Sequence, residues 1–333
     1  MDTIRWGIVG CGDVTEVKSG PAFRKAAGSA LTAVMRRNGA LAEDYAVRHG
    51  VGKWYDDAER LMYDPEVDAV YIATPPAFHK EYTLLAARAG KPVYVEKPMA
   101  CTYAECLDMI EACERAGVPL FVAYYRRELP LFKAVKALLD DGAIGEARYV
   151  RTLLTQPRSI GLTKDGELPW RVQPQLAGGG LFADLASHTF DILDFLLGPI
   201  ASAEGIAVNQ AGLYPAEDTV AGSYRFESGV VGSGMWCFDA FESTDANELV
   251  GTEGKLVFPT FGNDLVIHKR GETPTRLEFE RPQHVQQPFI QTMVDELRGG
   301  TPAVSTGRSA ARTNRVMDAL LKSYYEERTP GFE

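Results

Sequence analysis

The fold of this chain is indicated first by the segment Trp6-Gly7-Ile8-Val9-Gly10-Cys11-Gly12-Asp13-Val14-Thr15, where an apolar strand pattern runs into a helix start. Gly10 permits a tight turn. Gly12 lets the backbone approach a pyrophosphate held at the helix N-terminus, where Asp13 and Val14 follow. Thr15 stands where the third glycine of such a turn usually lies. The pattern predicts a dinucleotide-binding turn, and a turn that is merely rich in glycine is the alternative.

Outward from this turn, short apolar runs alternate with helical patterns as far as residue 123. The runs are apolar on both faces, as buried parallel strands are; they are Ile4–Val9, Ala30–Met35, Val67–Ala73, Pro92–Glu96 and Val118–Ala123. Helical patterns at Ala40–His49 and Thr102–Ala116 fall between them. The alternation predicts a doubly wound Rossmann domain over residues 1–123.

After residue 123 the pattern changes, which predicts a second α/β domain over residues 124–333. A long loop precedes the helix Leu181–Leu197. Long loops inside a compact domain more often have a function than none. Residues 202–280 contain strands joined by turns, such as Ser228-Gly229, and predict an open, mostly antiparallel sheet. Helices near Pro288–Arg298 and Ser309–Glu327 close the chain.

Composition excludes several classes of protein. The 333 residues are 45% hydrophobic, which argues against a disordered chain, and the net charge of −10 argues against a general nucleic-acid binder. No apolar run reaches the roughly 18 residues of a membrane helix, and the N-terminus lacks a signal-peptide pattern. Five cysteines without metal spacing indicate reduced thiols and no metal site. We expect a cytoplasmic protein.

Cofactor specificity should be decided at the end of the second strand, where an acid would bind the ribose of NAD. Arg36 and Arg37 stand there instead, and guanidinium groups bind a 2′-phosphate well. The sequence therefore favours NADP over NAD, although two solvated arginines would also explain the pattern. Thr74-Pro75 follows a later strand and could wall the nicotinamide ribose. His79 is either a catalyst or a histidine at a helix start or on the surface.

Lys97 is the first candidate for chemistry, within Glu96-Lys97-Pro98 at the carboxyl end of the strand Pro92–Glu96. Pro98 restricts the preceding residue to an extended backbone, which fixes the direction of the side chain. An ammonium at this edge can hold a substrate oxygen and stabilise a developing alkoxide. A salt bridge to Glu96 is the alternative, although neighbouring strand residues point to opposite faces.

A proton-transfer candidate emerges from the histidines. Three of the five follow an acid by four residues, but only Asp184 and His188 lie in a predicted helix, where that spacing shares a face. A carboxylate beside an imidazole can orient a general base. A helix-surface pair is the alternative.

Several further residues could line a site for a hydroxyl-rich ligand. They are Trp170 and Arg171 in the long loop, and Arg127 after the strand Val118–Ala123. Core packing and solvated arginines explain them equally well. Gly178-Gly179-Gly180, before the helix of His188, could be a hinge, a point of close approach to a ligand, or a plain loop.

Taken together, these motifs resemble the Gfo/Idh/MocA family of glucose–fructose oxidoreductase, inositol dehydrogenase and their relatives. The resemblance rests on Gly-x-Gly, on Glu96-Lys97-Pro98, and on Gly178-Gly179-Gly180 followed by Asp184, His188 and Asp191. It implies a Rossmann domain and an α/β domain whose sheet forms dimer or tetramer contacts. It also implies that Lys97, Asp184 and His188 are the catalytic residues, and Arg36 and Arg37 resemble the NADP-using branch.

The resemblance implies reversible hydride transfer between NADP(H) and a CH–OH or C=O group of a sugar or cyclic polyol. The expected substrate contacts are Lys97, Arg127, Trp170, Arg171, Asp184 and His188. The cofactor contacts expected are Gly10, Gly12, Asp13, Val14, Arg36, Arg37, Thr74, Pro75, His79, Glu96 and Lys97. Two alternatives stay open, a non-catalytic NADP-binding regulator and an NAD-dependent glycosidase on the same fold.

Overall fold

The computed structural model describes residues 2–159, 161, 166–326, 328 and 332. By packing, the chain divides into two units. The first is made of Met1–Ala100, Ala104–Glu128 and Pro282–Ala311, and the second of Cys101–Tyr103, Leu129–Arg281 and Arg312–Glu333. The division into a dinucleotide-binding domain over residues 1–123 and a substrate-binding and oligomerisation domain over residues 124–333 stays a prediction.

The first unit is built on a six-stranded parallel sheet in the order β3-β2-β1-β4-β5-β6. The strands are β1 (Ile4–Val9), β2 (Ser29–Met35), β3 (Lys53–Tyr55), β4 (Ala69–Ile72), β5 (Val93–Val95) and β6 (Leu120–Val122). The order reverses between β1 and β4, which creates the crevice where doubly wound folds bind ligands. This sheet confirms the predicted Rossmann fold.

Helices connect these strands: α1 (Asp13–Val17), α2 (Ala22–Lys25), α3 (Gly39–His49), α4 (Ala58–Met62), α5 (His79–Arg88) and α6 (Tyr103–Ala116). Short 3₁₀ turns occupy Pro76–Phe78 and Tyr125–Glu128. Asn38 begins α3 by accepting a hydrogen bond from the Leu41 amide, and Gly50 ends it in the left-handed conformation, as helix caps commonly do.

The second unit is built on an eight-stranded sheet in the order β14-β13-β12-β11-β7-β10-β9-β8. Its strands are β7 (Ala147–Thr155), β8 (Ile200–Val208), β9 (Thr219–Phe226), β10 (Val231–Cys237), β11 (Thr244–Gly251), β12 (Gly254–Phe258), β13 (Asp264–Lys269) and β14 (Thr275–Glu278). All pairs are antiparallel except β7 with β10. The predicted mostly antiparallel sheet is thus confirmed, including the turn between β9 and β10.

The remaining helices are α7 (Pro130–Asp140), α8 (Pro174–Ala177), α9 (Leu181–Leu197), α10 (Gln287–Leu297) and α11 (Gly307–Leu321), with a 3₁₀ turn at Trp170–Val172. Helix α9 has the predicted bounds. Helix α11 begins two residues before the predicted Ser309, and it ends at Leu321 because the chain then turns; Glu327 lies outside the described residues. None of the helices in the described part of the chain has the length and hydropathy that a bilayer-spanning helix needs.

Helix α9 packs on the inner face of the second sheet through aromatic side chains. Phe182 and Phe190 lie with their ring centroids 5.2 and 5.3 Å from Trp236 of β10, and Phe190 also packs edge-on against Tyr224 of β9. All four side chains are buried. Aromatic pairs at such distances contribute more stability than the burial of their area alone, so these contacts fix the position of α9 on the sheet.

Candidate active site

The turn after β1 has the geometry that its glycines predict. Gly10 adopts φ +88°, and a Cβ there would lie 2.7 Å from Thr74. A Cβ at Gly12 would meet only the Gly10 carbonyl, at 3.8 Å, so this side of the turn is open to a ligand. Asp13 and Val14 follow as the first residues of α1, where backbone N–H groups have no acceptor within the helix.

Thr15 closes the turn from within. Its hydroxyl donates to the Gly12 carbonyl at 2.7 Å and accepts from the Gly12 amide at 3.0 Å. Its own carbonyl accepts from the Tyr45 hydroxyl of α3 at 2.8 Å. The side chain is fully buried, so a threonine at the third fingerprint position is accommodated by local hydrogen bonds.

The loop after β4 adds a polar group to the same strand edge. The Thr74 hydroxyl is buried and has no hydrogen-bond partner within the described residues. Pro75 follows in an extended conformation and leads into the 3₁₀ turn Pro76–Phe78. Buried hydroxyls are nearly always paired. Together with the open side of Gly12, this orphaned oxygen fits a nicotinamide dinucleotide along the edge.

Arg36 and Arg37 follow β2 and are exposed, as a contact with a ribose phosphate requires. Arg36 Nη1 lies 3.4 Å from the Cys11 carbonyl of the glycine turn. The Arg37 guanidinium carbon lies 5.0 Å from the centroid of the Phe78 ring, a cation–π distance. The two guanidinium groups are therefore held near the glycine turn and the Pro76–Phe78 turn, which supports cofactor contact without testing it.

His79 is the first residue of α5 and is fully buried, so the surface alternative is wrong. Its Nδ1 lies 3.1 Å from the Pro98 carbonyl, and its Nε2 lies 2.8 Å from the Thr74 carbonyl. Burial lowers the pKa of this imidazole, and the carbonyl contacts oppose that shift. Because both nitrogens contact backbone, His79 joins the Thr74-Pro75 loop to the Lys97-Pro98 segment, and direct cofactor contact stays a prediction.

Glu96 is buried beside Lys97 and belongs to an internal network. Its Oε1 accepts from the Tyr71 hydroxyl at 2.6 Å and from the Gln286 amide at 2.7 Å, while Oε2 accepts from the Lys97 backbone N–H at 3.2 Å. The Tyr94 hydroxyl donates to Gln286 in turn. These contacts fix the backbone from which the Lys97 side chain departs. Sequence reasoning missed Gln286, because nothing in its surroundings indicates a partner 190 residues away.

Arg127, the remaining substrate candidate in the first unit, is buried and donates to the Val304 carbonyl at 3.0 Å. Its contact with substrate stays a prediction.

In the second unit, Asp184 and His188 lie one turn apart on α9. His188 is only 4% exposed, so the two do not form a surface pair. Its ring packs edge-on against Phe261, with centroids 5.6 Å apart. Phe261 is held in turn because the Asp245 carboxylate accepts from the backbone N–H groups of Phe261 and Thr260, the latter at 2.8 Å.

Two of the loop candidates are brought to the same helix. Arg171 Nε donates to the Asp184 carboxylate at 3.2 Å, and its guanidinium carbon lies 4.4 Å from the centroid of the Trp170 ring. The Arg171 side chain is 49% exposed, whereas that of Asp184 is 14% exposed. The binding of hydroxyl groups is favoured by this arrangement, in which an exposed guanidinium and an indole lie beside a largely buried carboxylate.

The three glycines before α9 are a packed turn rather than an open one. All three are buried. A Cβ on Gly178 would lie 2.6 Å from the Cys101 Cα, and a Cβ on Gly180 would lie 2.6 Å from the Glu217 carbonyl. Gly178 and Gly179 also have positive φ angles. The glycines are needed for close packing within the second unit, which argues against a plain loop.

Comparison with known proteins gives consistent matches. The family described as "Oxidoreductase family, NAD-binding Rossmann fold" matches residues 4–124, and the GFO/IDH/MocA C-terminal domain matches residues 132–257. Oxidoreductase P35 of Formosa agariphila is 38% identical over 95% of this chain and 98% of its own. The 1,5-anhydro-D-fructose reductase of Ensifer adhaerens is 33% identical over 81% of this chain and 79% of its own.

A solved structure agrees with this fold over almost the whole chain. The aldose-aldose oxidoreductase from Caulobacter crescentus, complexed with glycerol, superposes with a TM-score of 0.84 at 26% identity, covering 98% of both chains. The sequence motifs, both sheets and these matches lead to one conclusion: the chain belongs to the Gfo/Idh/MocA family of oxidoreductases.

Proposed function

We propose that this protein transfers a hydride reversibly between NADP(H) and a CH–OH or C=O group of a sugar or cyclic polyol. The observation that carries the proposal is on α9, where a buried imidazole lies one turn from a carboxylate that holds the guanidinium of Arg171. The names of the relatives support the substrate class, since one reduces 1,5-anhydro-D-fructose and another is an aldose-aldose oxidoreductase.

The chain's own residues divide the work of proton transfer and charge stabilisation. His188 takes the hydroxyl proton in oxidation and returns it in reduction, and Asp184 orients His188 or the substrate. Lys97 holds the reacting oxygen and stabilises the negative charge that develops on it. Trp170, Arg171 and Arg127 contact the other hydroxyl groups. The bound dinucleotide supplies the acceptor or donor of the hydride.

The dinucleotide lies along the carboxyl edge of the parallel sheet. Its pyrophosphate is held by Gly10, Gly12, Asp13 and Val14. The nicotinamide ribose contacts Thr74 and Pro75, next to Glu96 and Lys97. His79 supports that wall through the Thr74 and Pro98 carbonyls. Arg36 and Arg37 bind the 2′-phosphate, and this makes NADP the preferred cofactor over NAD.

The purified protein tests the proposal directly. NADP⁺ with a panel of sugars and polyols, and NADPH with the matching ketones and aldehydes, should change the absorbance of the reduced nicotinamide. Turnover of at least one sugar or polyol is the expected result. Tight cofactor binding without turnover of any of them would contradict the proposal and favour a regulator. A reaction that requires the cofactor but leaves its oxidation state unchanged overall would favour a glycosidase.

The outer face of the second sheet supports a homodimer or homotetramer. The register places Met235 of β10 beside Leu153 of β7, and these apolar side chains are 41% and 39% exposed. Ile206 of β8, which is 67% exposed, continues the row through Ala221. A contiguous apolar row on a sheet face is typical of an interface.

Light scattering of the variant Met235→Glu should then show a lower mass than the wild type. Val47→Glu is the matched control, since it replaces a 76% exposed residue of α3 in the first unit. A wild-type mass equal to one chain would contradict an oligomer. A cytoplasmic location accords with the sequence and stays a prediction.

A further inference from the structure

Helix α9 begins at a residue that has no side chain with which to cap it. Gly180 is the N-cap, and its backbone N–H donates instead to Glu217 Oε1 at 2.8 Å. Glu217 precedes β9 and is fully buried. A carboxylate at this end of a helix satisfies an orphan donor and interacts favourably with the helix dipole.

The other carboxylate oxygen of Glu217 has its own donor. Glu217 Oε2 accepts from the Tyr325 hydroxyl at 2.7 Å. Burial raises the pKa of Glu217, and the N–H of Gly180 and the hydroxyl of Tyr325 oppose that shift. Among the described residues, the partners of both oxygens are thus neutral donors, Gly180 and Tyr325.

The opposite end of the glycine turn is held by a second buried group from the same C-terminal segment. Arg328 Nη2 donates to the Gly178 carbonyl at 2.5 Å, and Nη1 donates to the Cys101 carbonyl at 2.9 Å and to Asp318 Oδ1 at 2.5 Å. Arg328 and Asp318 are 6% and 2% exposed. The Gly178 carbonyl is therefore held by Arg328, and the Gly180 amide is held by Glu217, which accepts from Tyr325 of the same C-terminal segment.

A buried carboxylate and a buried guanidinium are costly to desolvate, so their presence is weak support for a role in stability. Their contacts converge on a turn of three glycines, of which Gly178 and Gly180 pack too closely for a side chain. Asp184 lies one helical turn beyond Gly180, and its N–H bonds to the Gly180 carbonyl at 3.4 Å. The turn is thus hydrogen-bonded to Asp184, which lies one helical turn before His188.

We infer that Glu217, Tyr325 and Arg328 are positioning residues, which set the first turn of α9 and thereby the geometry of Asp184 and His188. This inference rests on the proposed function for its effect on rate. It does not depend on that function for its effect on the His188 ring. Misplacing a reacting group by about 1 Å costs up to about 100-fold in rate, so small movements of the turn are consequential.

The test compares two neighbouring tyrosines. Tyr325→Phe removes the hydroxyl that donates a hydrogen bond to Glu217. Tyr324→Phe removes a hydroxyl that donates to the Pro215 carbonyl at 3.0 Å, and this hydroxyl does not contact the glycine turn. We expect Tyr325→Phe to lower kcat about 10-fold with KM and cofactor Kd within about twofold of wild type. Tyr324→Phe should leave all three constants within about twofold.

Two further measurements separate positioning from general stability. Glu217→Gln keeps an acceptor for Gly180 and should restore most of the kcat that Glu217→Ala loses. The NMR signal of the His188 ring, assigned by its loss in His188→Asn, should shift in Tyr325→Phe and not in Tyr324→Phe.

Equal kcat and equal His188 signals in the two tyrosine variants would overturn the inference. If the wild type turns over no sugar or polyol, the proposed function fails. The NMR comparison then still decides the positioning role.

Discussion

Arg171 and Asp184 form a hydrogen-bonded ion pair, with Nε 3.2 Å from Oδ2. The pair connects a residue that the sequence suggested as a ligand contact with one that it suggested as catalytic. Because Arg171 is half exposed and stacks on Trp170, its remaining N–H groups are presented to solvent beside the carboxylate. In the function proposed above, this arrangement couples the binding of a hydroxyl-rich ligand to Asp184, the residue proposed to orient His188.

We expect Arg171→Leu to raise KM for the sugar about 10-fold while leaving the cofactor Kd unchanged, because a charged hydrogen bond to substrate contributes about 1.5 kcal/mol or more. Combined with Asp184→Asn, the losses in kcat/KM should not add, since the two side chains are in contact. Steady-state kinetics of both single variants and the double variant check this. Full additivity would mean that the ion pair has no part in substrate binding.

Cofactor preference should follow the charge at the end of β2. Arg36→Asp should reverse or abolish a preference for NADP(H), because the carboxylate repels a 2′-phosphate and can bind a ribose hydroxyl. Titration of NADPH and NADH by fluorescence measures it. Arg115→Asp on α6 is the control, since this arginine is 71% exposed and carries the same charge change away from the strand edge. A wild type that binds NADH more tightly would show that our interpretation of this strand end is wrong.

Lys97→Met should lower turnover about 10²–10³-fold, as loss of one contact to a developing oxyanion does. Cofactor affinity should stay within a few-fold of wild type, because the ammonium acts mainly in the transition state. Comparing kcat with the cofactor Kd checks both parts. Near-normal turnover would give Lys97 a structural role.

His188→Asn should lower the oxidative rate about 10²–10⁴-fold, since asparagine cannot exchange a proton. In the wild type the rate should rise with pH as the imidazole becomes neutral, and this acid-side limb should disappear in the variant. Rate against pH for wild type, His188→Asn and Asp184→Asn measures the effect. An unchanged profile in His188→Asn would exclude it as the general base.

The raised pKa of Glu217 predicts a pH dependence of stability. In the folded state this carboxyl binds a proton more tightly than in the unfolded state, whose pKa lies near the ordinary 4.5. The contribution of Glu217 to the free energy of unfolding is therefore fully present below the unfolded pKa, and it is lost as pH rises through the folded pKa. Denaturant unfolding at several pH values should show this decline in wild type and not in Glu217→Gln. Parallel curves for the two proteins would contradict it.

The sequence predicted what local patterns encode. The bounds of β1 and α9 agree with the structure, because an apolar run and a helical pattern that stops at Gly198 are local signals. The edge strand β3 has three residues and no alternation, and was not predicted. Glu217, Gln286 and Arg328 were missed for another reason: burial of a polar side chain depends on distant partners, which composition and spacing do not report.

The topology of β7 has a consequence for synthesis of the chain. Both neighbours of this strand, β10 and β11, come after α9 in the sequence, so β7 leaves the ribosome with two unpaired edges. Non-local pairing is slow, and unpaired strand edges invite association with other chains. Arg148 and Arg151 place charge on β7, and charge on an unpaired strand opposes such association. We therefore expect their neutralisation to reduce the yield of newly made protein more than the stability of the finished fold.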